Sequence, residues 1–332
     1  MILVMNRDCR KEEIEKVRKR LEINGFKYDV MYGEKHVLIP IVGDLTTSDA
    51  GRFESLACVE KVLRVSLPYS LVTRDKKNSD SVIDLGDGVS IGGKYSIIAG
   101  PCSVESEENL RNIAEELNRH NVRILRGGTF KMRSSPYSFQ GMGEEGLKIL
   151  RKISDRFGMK CVSEIPDIGK IDCFLKYTDI IQVGARSMNN YEMLRELGKT
   201  KKPILLKRSP YAKIEDFLLS AEYLILGGNP NVILCERGIR TFDDSSRNTI
   251  NIASIPLLKK KTHLPVIMDP SHGTGNREIV SRVALASIPL GADGVLIETH
   301  TNPEEALSDG FQSLTPEDFR LFIKKAEKFL SI

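Results

Sequence analysis

Apolar residues recur along this chain in short strand-like runs separated by segments of helical period, and their grouping changes after a polar stretch at 74–80. The first seventy residues read as strand, helix, strand, strand, helix, strand. MILVMN is a short apolar strand, and RKEEIEKVRKRLEINGF is an amphipathic helix that ends near Gly25. KYDVMY and HVLIPIVG predict paired strands about a turn at Gly33-Glu34-Lys35. A short helix follows from Asp49 to Leu56, and VEKVLRVS is the last strand. This βαββαβ order predicts a ferredoxin-like domain over 1–73, with two helices on one face of a four-stranded sheet. RDKKNSD, 74–80, is the expected linker.

From residue 81 the pattern differs. After a hairpin over SVIDLGDGVSIGGK come eight apolar runs: YSIIAG, VRIL, MKCVSE, DIIQVG, PILLK, NVILCE, LPVIMD and DGVLIE. Between them lie segments such as EENLRNIAEELNRH and EDFLLSAEYLILGG, with helical periodicity. Continuous Val/Ile/Leu strands alternating with helices imply a parallel sheet covered on both faces. Eight such units over 81–332 predict an α/β fold, a (β/α)8 barrel, with a doubly wound open sheet as the alternative. The last helix has a Thr315 cap and Pro316 at its first position.

Composition narrows the classes. Of 332 residues, 41% are hydrophobic and 28% charged, which is ordinary for a globular protein. The net charge of +4 comes from 49 basic and 45 acidic residues spread along the chain, so no nucleic-acid footprint is expected. The opening apolar run is too short for a signal peptide, and no run is long enough to span a bilayer. Six cysteines without a CxxC pair point to a reduced, cytoplasmic protein.

On the barrel frame the unusual polar residues gather at strand ends. Arg126 closes the second strand and Glu164 the third, Gln182 and Arg186 follow the fourth, and Lys207 closes the fifth. Glu236 and Arg237 end the sixth, Asp269 and His272 follow the seventh, and Glu298 ends the eighth. All would surround the C-terminal mouth, where barrel enzymes build their active sites. Arg126, Lys131, Arg133, Arg186, Lys207 and Arg237 would form a cationic basin for a ligand with several anionic groups, a phosphorylated one above all. The alternative is structural pairing of some of them with Glu144, Glu164 or Glu236. Cys102, His272, Glu298 and Asp309 are an ordinary ligand set for a divalent transition metal, although a single cysteine is commonly just a small buried residue. A metal there would polarise a carbonyl. Gly141-Met-Gly143-Glu-Glu-Gly146 matches GxGxxG but lacks the strand that should precede it, so it reads as the start of a helix. Of the other histidines only His300 lies near the mouth.

The stretches AGPCSVES, LRGGTFKMRSSPYSFQG, IIQVGARSMNN, PILLKRS, ILCERGIRTF, PVIMDPSHGTGNRE and ALSDGFQSLTPEDF closely resemble type I 3-deoxy-D-arabino-heptulosonate 7-phosphate (DAHP) synthases over residues 81 to 332. The N-terminal βαββαβ resembles the ferredoxin-like, ACT-type regulatory domain of one branch of that family. The resemblance implies condensation of phosphoenolpyruvate with erythrose 4-phosphate, the first step of the shikimate pathway, in a homo-oligomer (dimer or tetramer) inhibited by an aromatic amino acid. It implies Cys102, His272, Glu298 and Asp309 as ligands of a divalent cation (Mn, Zn, Fe or Co), with Lys131, Glu164, Cys102 and His272 as catalytic residues. Arg186 and Arg237 would hold the phosphoenolpyruvate phosphate, Arg126, Lys131 and Lys207 its carboxylate side, and Arg133 and Ser134 the aldehyde's phosphate. Glu164 would lie near the attacking water. One departure is Lys131-Met132-Arg133-Ser134, where the family usually has Lys-Pro-Arg-Thr. The nearest rival is the sister family, 3-deoxy-D-manno-octulosonate 8-phosphate synthase, which uses arabinose 5-phosphate. That family has asparagine just before the arginine of this loop. A catalytically inactive amino-acid sensor is a further alternative, against which the complete set of candidate ligands and cations argues.

Overall fold

The structure, a computed structural model, describes residues 1–6, 8–33, 36–42, 47–56, 58–63, 68–133 and 135–330. It divides into two compact units, Met1–Ser70 and Leu71–Ile332. Glu34 and Lys35 of the expected turn, and Ser134, lie outside the described residues.

In the first unit, strand Ile2–Met5 sits between Val37–Val42 and Val59–Leu63, antiparallel to both. Two short strands, Lys27–Tyr28 and Met31–Tyr32, pair with Val37–Val42 on its other edge. The run KYDVMY was expected as one strand and is two. At the break the Asp29 carboxylate accepts the Val30 amide at 2.8 Å, a local bond that takes this amide out of the ladder. Helix Lys11–Ile23 turns Ile14, Val17 and Leu21 inward, and helix Thr47–Glu54 contributes Phe53. They meet Leu3, Met5, Ile39 and Ile41, which alternate along their strands as the pleat requires. This is the expected ferredoxin-like order.

In the second unit all eight expected strands form: Ser96–Gly100, Ile124–Arg126, Lys160–Glu164, Ile180–Val183, Ile204–Lys207, Val232–Glu236, Val266–Met268 and Gly294–Glu298. Each pairs in parallel with the next and the eighth with the first, which closes the barrel. Each strand contributes one inward aliphatic residue to a common layer: Ile98, Ile124, Val162, Ile180, Leu205, Ile233, Ile267 and Leu296. The hairpin strands Ile83–Asp84 and Ser90–Ile91 press Ile83, Val89 and Ile91 against that layer from the N-terminal end. Lys160, which opens the third strand, pairs with Asp87 of the hairpin turn at 2.6 Å. The outward residues, such as Ala99, Leu125 and Val295, pack under helices Glu107–Arg119, Gly143–Arg156 and Pro316–Leu330. Burial on both faces is why these strands are continuously apolar, and each such side chain gains about 1.5–3 kcal/mol.

The stretch 74–80, expected as a linker, belongs to this second unit. The Glu222 carboxylate accepts the Leu71 and Val72 amides at 2.8 and 3.0 Å, and the Arg74 amide donates to the Lys261 carbonyl. Buried His263 joins Ser81 Oγ at 2.8 Å and the Leu71 carbonyl at 2.9 Å. Among the described residues no helix is long and apolar enough to cross a membrane.

Candidate active site

The C-terminal ends of the strands enclose a cavity of about 410 Å³. All six cations singled out in the sequence line it, together with Glu164, His272 and Asp309. Gln182 falls inside the fourth strand rather than after it. From there its amide donates to Glu164 Oε2 at 2.6 Å and fixes that carboxylate at the wall. Glycine at 184 leaves room for the same carboxylate, since a Cβ would stand 2.1 Å from Glu164 Oε1 and push it aside.

The cations divide by partner. Arg126 Nη1 donates to Glu298 Oε1 at 2.8 Å and to the Pro101 carbonyl at 2.6 Å. Lys207 pairs with Asp269 at 2.5 Å, and Arg133 with Asp309 at 3.4 Å. The alternative reading, structural pairing with Glu144, Glu164 or Glu236, does not hold for these six side chains, because those carboxylates are engaged by other groups. Glu144 faces Lys148, Glu164 is held by Gln182, and Glu236 takes Arg208 at 2.7 Å. The remaining three cations have neutral partners. Arg186 donates to the Met132 carbonyl at 2.5 Å, and Arg237 to the His272 carbonyl at 2.9 Å. Lys131 donates to the Cys102 carbonyl at 3.2 Å and lies 3.1 Å from its sulfur. Burial pushes the Arg237 guanidinium below its ordinary value, and Arg247 nearby adds to this.

One ligand atom from each of Cys102, His272, Glu298 and Asp309 lies within 4.8 Å of all the others. The set is oriented from behind. Asp269 holds His272 Nδ1 at 2.8 Å, which leaves Nε2 facing Glu298 Oε1 at 3.3 Å. Gln312 donates to Glu298 Oε2 at 2.5 Å. Cys102 Sγ lies 2.9 Å from Ser308 Oγ and 3.3 Å from Asp309 Oδ2. Burial raises the Cys102 thiol to about 12, with Glu298 adding in the same direction. Burial also opposes ionisation of Asp269 and Glu298, yet Asp269 stays well below its ordinary value and Glu298 below its own. His272 and Lys207 outweigh it for Asp269, as do His272 and Arg126 for Glu298. His272 itself is pushed down by burial. One soft thiol, one imidazole and two ionised carboxylates, crowded together and braced from outside, fit a divalent transition metal.

The amino-acid sequence matches the DAHP synthetase I family over residues 75–331 and the DAHP synthase ferredoxin-like domain over residues 1–67. The chain belongs to the DAHP synthetase I family. It is 47% identical over 329 residues to the phospho-2-dehydro-3-deoxyheptonate aldolase of Thermotoga maritima, covering 99% of this chain and 97% of that one. The crystal structure of that DAHP synthase superposes with a TM-score of 0.96 at 46% identity, again over 99% of this chain and 97% of that one. A truncated form of the Thermotoga maritima enzyme matches 79% of this chain and 97% of its own, with a TM-score of 0.74 and 44% identity. The 2-dehydro-3-deoxyphosphooctonate aldolase of Geobacter sulfurreducens is 31% identical over 257 residues, 71% of this chain and 93% of that one.

Within this family site, two cations escaped the sequence reading. Arg240 and Arg247 line the same cavity, and Arg247 donates to Gln312 Oε1 at 2.8 Å, so it backs the group that holds Glu298. Both sit on the long loop after the sixth strand, well past its end. In RTFDDSSRNT, Asp243 and Asp244 stand between Arg240 and Arg247, so the stretch carries no net charge and gives no local signal. The Lys-Met-Arg-Ser departure is also positioned: the Met132 carbonyl is the acceptor for Arg186.

Proposed function

We propose that the chain is a 3-deoxy-7-phosphoheptulonate synthase that condenses phosphoenolpyruvate with erythrose 4-phosphate, giving DAHP and phosphate. The observation that carries this reading is one cavity lined by eight cationic side chains and bordered by the Cys102–His272–Glu298–Asp309 cluster. Two phosphorylated substrates repel each other, and a preorganised cationic wall offsets that repulsion while holding them in line. Arg186 and Arg237, which have no carboxylate partner among the described residues, suit the phosphoenolpyruvate phosphate. Arg126, Lys131 and Lys207 suit its carboxylate, and Arg133 with Ser134 the aldehyde's phosphate. A divalent cation held by the cluster supplies Lewis acidity at the aldehyde carbonyl when bound, and this donor set accepts Mn, Zn, Fe or Co.

The protein's own groups then set the course of the reaction. The basin aims C3 of phosphoenolpyruvate at the aldehyde carbon, where the new C–C bond forms. Glu164, fixed by Gln182, orients the water that adds at C2, and phosphate leaves with C–O cleavage. Residues 1–73 serve as a regulatory domain that binds an aromatic amino acid, and the working enzyme is a homo-oligomer. Loss of phosphoenolpyruvate, followed with erythrose 4-phosphate or arabinose 5-phosphate and with or without a chelator, tests the reading. Turnover should favour erythrose 4-phosphate and stop on chelation; faster turnover with arabinose 5-phosphate would move the chain to the octulosonate branch. Deleting residues 1–70 should abolish inhibition by the effector and leave turnover intact, and loss of turnover alone would count against a regulatory role.

A further inference from the structure

His300 follows the eighth strand by two residues, and none of the roles above uses it. The loop it opens runs to Leu314, where the His300 amide donates to the Leu314 carbonyl and the Leu314 amide to the Glu298 carbonyl. At its tip Asp309 has φ +50°, a left-handed conformation uncommon for a residue with a side chain. Side chains around the tip give it support. Part of that support comes from inside the site, from Cys102, Arg133 and Ser308.

The rest comes from Glu105, three residues beyond Cys102 on the loop after the first strand. Its Oε1 accepts the Leu307 amide at 2.8 Å, two residues before Asp309. Its Oε2 lies 3.4 Å from His300 Nε2, and the two side chains are 10% and 3% exposed. His300 Nδ1 accepts the Asn302 amide at 3.1 Å, which turns Nε2 towards Glu105. The side-chain amide of Asn109 lies 3.2 Å from the same nitrogen. One carboxylate therefore ties the loop that carries Cys102 to both the root and the tip of the loop that carries Asp309.

We propose that Glu105, oriented by His300, is a positioning residue that brings Asp309 and Cys102 to ligand distance before any cation arrives. This rests on the reading of Cys102, His272, Glu298 and Asp309 as a cation site. Such outer supports typically contribute a factor of about 10–100 in metal affinity.

The test is titration of the full chain with Co²⁺, read by the thiolate-to-cobalt charge-transfer band that reports coordination by Cys102. Glu105→Ala should weaken Co²⁺ binding by about 10–100-fold and speed hydrogen exchange at the Leu307 amide of the cation-free protein. Glu105→Gln keeps an oxygen for the Leu307 amide and should retain most of the affinity. His300→Ala should show a smaller loss in the same direction, and it serves if Glu105→Ala does not fold. If Glu105→Ala lowers the melting temperature but binds Co²⁺ as the unaltered protein does, Glu105 is a structural staple only and the proposal fails. If the unaltered protein shows no band, the cation site itself is refuted and the positioning role falls with it.

Discussion

The two ends of the barrel are built from the same eight strands and have opposite chemistry. Strand Ile124–Arg126 passes from an aliphatic residue to a buried guanidinium in two positions, Ile204–Lys207 from Leu205 to a buried ammonium, and Gly294–Glu298 from Leu296 to a buried carboxylate. Residues two apart on a strand share a face, so each pair marks successive inward layers. The lower layer is wholly aliphatic and capped by the hairpin residues Ile83, Val89 and Ile91. The upper layer holds Arg126 with Glu298 and Lys207 with Asp269, all at 5% side-chain exposure or less. Buried ion pairs of this kind seldom stabilise a fold better than packed apolar residues would. The lower layer holds the barrel together, and the upper layer is retained for what it binds.

The largest expected effects lie at the upper end, at the cations without a carboxylate partner. Arg237→Ala and Arg186→Ala should each lower kcat/KM for phosphoenolpyruvate by about 10²–10³, the usual loss when one preorganised charge donor is removed. Their unfolding midpoints should hardly move, because each gives up only a bond to a backbone carbonyl. Arg126→Ala should differ, since it strands Glu298 in the interior and should cost stability as well. Steady-state kinetics set beside denaturant unfolding separates the two behaviours. If Arg186→Ala proved as destabilising as Arg126→Ala, the division by partner would be wrong.

That division was invisible in the amino-acid sequence, although the residues were not. Strand ends and apolar period were enough to place Arg126, Lys207, Glu298 and all eight strands, because burial on both faces writes a continuous Val/Ile/Leu run into each strand. The pairing was not readable: Glu236 stands beside Arg237 in the chain but takes Arg208, and Asp269 reaches across to Lys207. Which acid meets which base depends on barrel register and loop path, neither of which has a local signature. Arg240 and Arg247 escaped for the same reason, lying far out on a loop that folds back over the cavity. The break at Asp29 was missed because a single side-chain bond to the next amide overrode the alternating pattern of KYDVMY.

At the lower end the prediction reverses. Ile91 is fully buried between the hairpin and the barrel layer. Ile91→Ala should cost about 2–5 kcal/mol in urea unfolding, the range for a large aliphatic side chain truncated in a core. Its kcat/KM at a temperature where it stays folded should match that of the unaltered protein. A loss of catalytic efficiency without loss of stability would mean that the hairpin shapes the mouth through the barrel and that the two ends are not independent.

The smallest effect sharpens the lower end further, because a titratable group lies there with no charged partner among the described residues. Tyr95 packs just before the first strand, against Ser287, whose Oγ is 3.5 Å from the phenol oxygen. Burial raises the phenol to about 12, against a slight opposing pull from Ser287. A group whose folded pKa is raised gives stability that is complete below its unfolded value, near 10, and is lost as pH rises towards 12. Over that window the unfolded chain releases the proton first, and the loss amounts to about 2 kcal/mol. The buried thiols of Cys102 and Cys161, also raised to about 12, titrate in the same direction and steepen the whole curve. Tyr95→Phe keeps the ring, removes the proton and subtracts only the tyrosine share. Comparing urea unfolding at pH 9 and pH 11.5, the variant should lose less stability than the unaltered protein. Equal losses would mean that Tyr95 adds nothing to the high-pH sensitivity.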